Sequence, residues 1–283
     1  MNNRGIMVVT SIFAAMLAEG ASAQTRGGFE VGAEVFDYNY RERQDGQVVA
    51  KDDGIFGGAS VGYIETVGGG AFLRARLNIA FGSVDYSSSG PILEDPEIGE
   101  ARLDNVPQSI GQLELHIGKD FMLSNGASIT PFIGIGSRYL SDKSGGRETA
   151  DGLAGYDREI SYAYVPLGIA AGVPLGGRAI LNLSAQYNWL AGGDSKSHFS
   201  AISRELPDVE VEFKDGHGYD ASAMIGVPVG SKRIAFGPFF RSWKIDQSQS
   251  FILTNPEDPT ESIELFEPKN RTTEVGFRLS LAF

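Results

Sequence analysis

Two runs of about eleven residues constrain this chain more than any other feature. In residues 71–81, Ala71, Leu73, Ala75, Leu77, Ile79 and Phe81 share one face, while Phe72, Arg74, Arg76, Asn78 and Ala80 share the other. Residues 179–189 repeat the pattern, with Leu181, Leu183, Tyr187 and Trp189 set against Asn182, Ser184, Gln186 and Asn188. Period-two alternation is the signature of a strand with one apolar face. Its length matches the ~9–11 residues that a tilted strand needs to cross a bilayer. Weaker versions lie near 28–40, 54–65, 109–121, 127–140, 161–175, 219–229, 233–245 and 273–283, giving about ten strands. Helical periodicity is absent after the first 23 residues.

The connections sort into two kinds. Val67-Gly-Gly-Gly70, Ser124-Asn-Gly126, Gly176-Gly177 and Gly230-Ser-Lys232 are tight turns built from residues that tolerate positive φ. Roughly 41–53, 83–107, 141–159, 191–217 and 246–272 are long and polar. Alternating short and long connections predict an all-β fold: a transmembrane, antiparallel, up-and-down β-barrel with both termini at the short-turn end. Tyr139, Tyr187 and Trp189 are expected at one membrane interface, and Tyr63, Phe121 and Phe283 at the other. Pro131, Pro166, Pro228 and Pro238 interrupt strands and are expected at bulges or strand ends.

The N-terminus carries an address. Arg4 precedes an apolar run from Ile6 to Leu17, and Ala21-Ser22-Ala23 is a small-x-small cleavage pattern. Residues 1–23 are therefore expected to be a cleaved secretory signal peptide, leaving 24–283 as the barrel. The apolar run is shorter than the ~20 residues of a spanning helix. A formal charge of -12 excludes nucleic acid as a partner class, because phosphate binding needs clustered cations. With no cysteine, disulfides cannot hold the fold. No metal or cofactor site is expected: the acidic loops lack the ordered ligand spacing of a calcium loop.

The final strand places Phe277, Leu279, Leu281 and Phe283 on one face and ends the sequence on an aromatic residue. This resembles the C-terminal assembly signal of outer-membrane barrels. The resemblance implies the outer membrane of a Gram-negative-type bacterium. It also implies contact with outer-membrane lipid and lipopolysaccharide, and recognition of Phe283 by the barrel-assembly machinery.

The other face of the strands is charged. Glu30, Glu34, Arg74, Arg76, Glu114, His116, Arg138, Asp220, Arg241, Glu274 and Arg278 are expected to point inward. About eight strands are just filled by side chains and ~16–18 leave a channel, so ten with mixed charges predict an ion-pair network plugging the lumen. A narrow, porin-like conduit for small solutes is the competing reading. With the lumen plugged, function falls to the long loops and their extracellular ligand. Acidic residues there, such as Glu94, Asp95, Glu97 and Glu264, fit either a solubilising surface or binding of cationic peptides or divalent ions.

Ten strands with five long loops resemble the omptins, surface endopeptidases of the outer membrane. Tyr164-Val-Pro-Leu-Gly168 and Tyr187-Asn-Trp189, followed by a polar loop with His198, add a local likeness. The resemblance implies an Asp-x-His couple facing an acidic pair across the mouth, activating a water. Here Lys196 stands two residues before His198, whereas Asp215-Gly-His217 has the right spacing. After strand 3, Asp85 is followed by Tyr86, with Asp95 further on. No HExxH motif occurs, and the Gly58-Ala-Ser-Val-Gly62 string falls inside an expected strand rather than at a strand-to-helix nucleophile elbow. The preferred reading is a non-enzymatic surface barrel with a binding, adhesion or structural role; the alternative is an omptin-like endopeptidase using Asp85, Asp95, His198, Asp215 and His217.

Overall fold

A computed structural model describes residues 27–88, 101–150, 152, 154–176, 178–204, 206–254 and 262–283. The expected signal peptide and Asp95 lie outside the described residues. Ten antiparallel strands close on themselves: β1 (Gly28–Gln44), β2 (Gln47–Gly68), β3 (Ala71–Ser88), β4 (Ala101–Lys119), β5 (Ser128–Lys143), β6 (Asp157–Gly176), β7 (Ala179–Ser197), β8 (Gly216–Val229), β9 (Lys232–Ile245) and β10 (Lys269–Ala282). Each pairs with its sequence neighbours, and β10 returns to β1 through pairs such as Glu34 with Arg278. Closure leaves no unpaired edge, which an apolar solvent requires of any sheet. The Phe283 amide adds a last bond to the Phe29 carbonyl.

The alternation expected from the sequence holds where the strands cross the belt. Val31, Val35, Leu77, Phe81, Ile135, Leu167, Trp189 and Phe277 face outward and are exposed, forming an apolar belt. Tyr63, Phe121 and Phe283 edge that belt at the short-turn end, and Tyr139, Tyr187 and Trp189 edge it at the other. Such rims suit rings that prefer the headgroup level.

The strands continue well past the belt. On β1, outward positions change from Val35 to Asp37, Asn39 and Arg41, with Arg41 paired to Asp53 on β2 at 2.7 Å. From Val35 to Gln44 the strand runs roughly 30 Å at ~3.4 Å per residue. The expected loop 41–53 is instead a hairpin that turns on Asp45 and Gly46, both at positive φ. Its Asp-Gly signal is the ordinary one for a two-residue hairpin turn. Short strands at Val209–Phe213, beside β7, and at Phe251–Thr254, paired with Ser262–Leu265, occupy two other expected loops.

Pro238 sits mid-strand rather than at a bulge or end. Its missing amide is accommodated because the β8–β9 ladder skips from Ser222↔Phe239 to Ile225↔Phe236. Gly237 is fixed at the same place, since a Cβ there would lie 2.0 Å from the Ala223 carbonyl oxygen. Gly237→Val is expected to abolish the heat-modifiable folded band on detergent gels, whereas Gly57→Val, with nothing within 4 Å of its Cβ, keeps it.

Candidate functional site

All of the predicted lumen residues face inward, and the structure sorts them into layers. A mid-lumen layer is a closed ring of eight side chains. Arg138 donates to the Gln112 side-chain oxygen at 3.4 Å, and Gln112 donates to Glu114 at 3.2 Å. Gln186 donates to both Glu114 (2.8 Å) and Asn188 (2.7 Å), and Asn188 donates to Asp220 at 2.6 Å. Arg241 bonds Asp220 at 2.9 Å and also pairs with Glu274. Glu274 completes the circuit by accepting from Arg138 Nη2 at 2.5 Å, across the lumen from β10 to β5. The Tyr164 hydroxyl lies against the ring, accepting from Gln112 and donating to Glu114.

Burial explains why this layer is connected: Glu274 and the Arg138 side chain are 0% exposed. An isolated charge there would be very costly, and a pair repays its desolvation only when the remaining donors and acceptors are filled. Glu34 and Arg278 form a separate pair, with Arg278 Nε and Nη2 both on one Glu34 oxygen at 3.0 and 2.7 Å. His116 is not drawn into the ring. Its nitrogens lack hydrogen bonds among the described residues, its Nε2 lies 3.9 Å from Glu114, and its ring packs on Phe132.

Above the ring, toward the long-loop end, the lumen is filled by aromatic packing. Trp243 meets Tyr164 edge-on at 4.9 Å and Tyr162 at 5.5 Å. Phe36, which pairs with Gly276 beside the ring, stacks on Phe56, and Phe56 also contacts Tyr38. Leu190, Phe213 and Ile245 complete this core. It is capped by Arg158, whose Nη1 holds Glu42 at 2.6 Å and Glu267 at 2.7 Å, with Tyr40 bonded to both carboxylates. Burial pushes the Glu267 carboxyl up to about 7, against the opposing pull of Arg158.

The expected catalytic residues are dispersed. Asp85 points outward and accepts from the Asn105 amide at 3.1 Å. His217 is level with Trp189 and packs among the outward rings of Tyr187 and Tyr219 at 6.0 and 5.4 Å, not in the mouth. The Asp215 carbonyl receives the Asp246 amide. His198 alone acquires a carboxylate partner, Asp208, at 3.0 Å from Nδ1. Ser200, through its hydroxyl and amide, and His198 hold the Asp208 carboxyl down to about 2. Glu159 lies 3.9 Å from His198 Nε2.

Asp208 escaped the sequence reading because ten residues and a 3₁₀ turn (Phe199–Ala201) separate it from His198. Gln112, Gln186 and Asn188 were missed as network members because neutral amides carry no charge signal. Their inward register was legible from the alternation alone.

No protein-family model matches the chain, and neither does any curated protein. The crystal structure of the outer membrane protease OmpT from Escherichia coli aligns over 93% of this chain and 100% of its own, with TM-score 0.58 and 10% identity. The transport unit of the autotransporter AIDA-I from Escherichia coli aligns over 96% of this chain and 94% of its own, with TM-score 0.43 and 9% identity. The chain has an outer-membrane β-barrel fold. At this identity the likeness to OmpT is one of architecture.

The layers differ in what the loss of one carboxylate costs. Glu274→Gln leaves the buried Arg138 without a carboxylate partner and Arg241 with Asp220 alone, and is expected to cost about 3–5 kcal/mol in urea unfolding followed by tryptophan fluorescence. Glu30→Gln, half-exposed and 3.8 Å from Arg76, is expected to cost under ~1 kcal/mol. Because the Glu267 carboxyl is raised in the fold from 4.5, its contribution is greatest at acid pH and is lost as pH rises through about 7. Melting temperatures between pH 5 and 8 should therefore fall less with rising pH in Glu267→Gln than in the wild type.

Proposed function

We propose that this chain is a non-enzymatic surface barrel of the outer membrane, whose long-loop end meets an extracellular ligand while its lumen stays closed to solutes. In this reading the segment 1–23 is removed on export, and Phe283 is the residue read by the assembly machinery. The short turns face the periplasm, and the apolar belt contacts lipid and lipopolysaccharide. The observation that carries the reading is the pairing of the eight-membered ring with the aromatic layer above it. Together they leave hydrated protein chemistry only at the two ends. The paired strands beyond the belt support it further, since they hold the long-loop end as a rigid platform, suited to recognition on a fixed scaffold.

Planar-bilayer recording tests the closed lumen: no conductance steps are expected from the refolded protein, and reproducible steps would overturn the reading in favour of a narrow channel. A hydrolase is the second reading, favoured by the 3.0 Å contact of His198 with Asp208, because a carboxylate-oriented imidazole is a competent general base. Refolded barrel in lipopolysaccharide micelles is expected to cleave no member of a diverse peptide library. Cleavage that is lost in His198→Ala but retained in His217→Ala would establish the hydrolase instead.

A further inference from the structure

Beneath the ring, at the short-turn end, the lumen opens into a cavity of about 510 Å³ whose walls differ in chemistry. One wall is cationic. Arg74 and Arg76 project from successive inward positions of β3, and Arg278 from β10. Between them, Gly62 of β2 is level with both Glu30 and Arg76 and has no side chain, which leaves the space in front of the guanidinium groups open. The opposite wall is polar: Thr130, which donates to Asp120 at 2.6 Å, lines it from β5, Asn182 and Ser184 from β7, and Ser222 from β8, which bonds Ser184 at 2.8 Å, while Arg178, Lys232 and Arg233 add further cations to the lining.

The cationic wall is only partly neutralised within the fold. Arg278 is committed to Glu34, and Glu30 reaches Arg76 only at 3.8 Å. Arg74 has no carboxylate within ion-pair range among the described residues; its guanidinium lies 5.1 Å from the Phe72 ring. Its Nε is shielded from solvent yet has no hydrogen-bond partner among the described residues. A buried guanidinium donor left without an acceptor is costly, and in a chain of net charge -12 a supply of carboxylates was not the constraint. Two adjacent guanidinium groups in a concave site present the forked donors that match a tetrahedral oxyanion. The volume is that of a small-molecule site.

We propose that this vestibule binds a phosphate-bearing polar molecule, with Arg74 and Arg76 holding the phosphate and the Thr130, Asn182 and Ser222 wall receiving the hydroxyl groups of the remainder. The site is independent of any activity at the long-loop end; only the direction of entry, from the periplasm, rests on the orientation proposed above. A soluble phosphate ester and a lipid headgroup share this chemistry, and the experiment separates them.

Calorimetric titration of the refolded barrel in an uncharged detergent would use glucose 1-phosphate, inorganic phosphate and glucose. Saturable binding of the two phosphates but not of glucose is expected. Arg74→Gln and Arg76→Gln should each weaken it at least tenfold, while Lys119→Gln, which removes an outward cation at the same end of β4, leaves it unchanged. Displacement of glucose 1-phosphate by phosphatidylglycerol would assign the site to a headgroup; persistence would assign it to a soluble ester. Absence of saturable phosphate binding by folded wild type, or equal affinity in the folded arginine variants, overturns the proposal. If Arg74→Gln does not fold, Arg76→Gln and the wild type still decide it.

Discussion

A bilayer offers no hydrogen bonds to the backbone, so a sheet that crosses it must close, and ten closed strands enclose a space too narrow to be left as bulk water. Much of this molecule follows from that enclosure. Inward positions must be filled, and any charge put there must meet its complement inside the same small volume. The chain meets both demands by separating them along the barrel axis. Aromatic side chains fill the half nearer the long connections, and a circuit of carboxylates, amides and guanidinium groups crosses the middle. Glu274 is the member on which the circuit turns, because it alone serves two arginines from opposite walls.

The barrel was legible because lipid enforces a simple rule on outward positions. Leu73, Leu77 and Phe81 must all be apolar, and the intervening side chains declare themselves inward by default. Strand ends were less legible. The rule stops operating where the belt stops, and Asp37, Asn39 and Arg41 alternate no longer although the ladder continues. The same loss of signal hid the hairpin at Asp45 and Gly46 inside an apparent loop. Pro238 misled for a different reason: a single missing donor is harmless where the neighbouring ladder already lapses.

The site was legible in composition but not in connection. Alternation identifies Glu114, Arg138, Arg241 and Glu274 as inward, yet which pairs form depends on the curvature that brings β10 opposite β5. That geometry has no local trace, since Arg138 and Glu274 are 136 residues apart. The histidines show the limit from the other side. His217 has the spacing of a catalytic couple but the outward parity of Tyr187 and Tyr219, whereas His198 gains Asp208 only through the path of its loop.

The circuit also ties closure of the sheet to neutralisation of its interior. Its eight members are spread from β4 to β10, and the carboxylate that joins the two walls belongs to β10, the strand that pairs back with β1. Without Glu274, Arg138 and Arg241 share no common counterion. Docking of β10 simultaneously seals the seam with β1 and neutralises the interior. One strand thus carries both the ladder that closes the sheet and the carboxylate that joins the two walls of its interior.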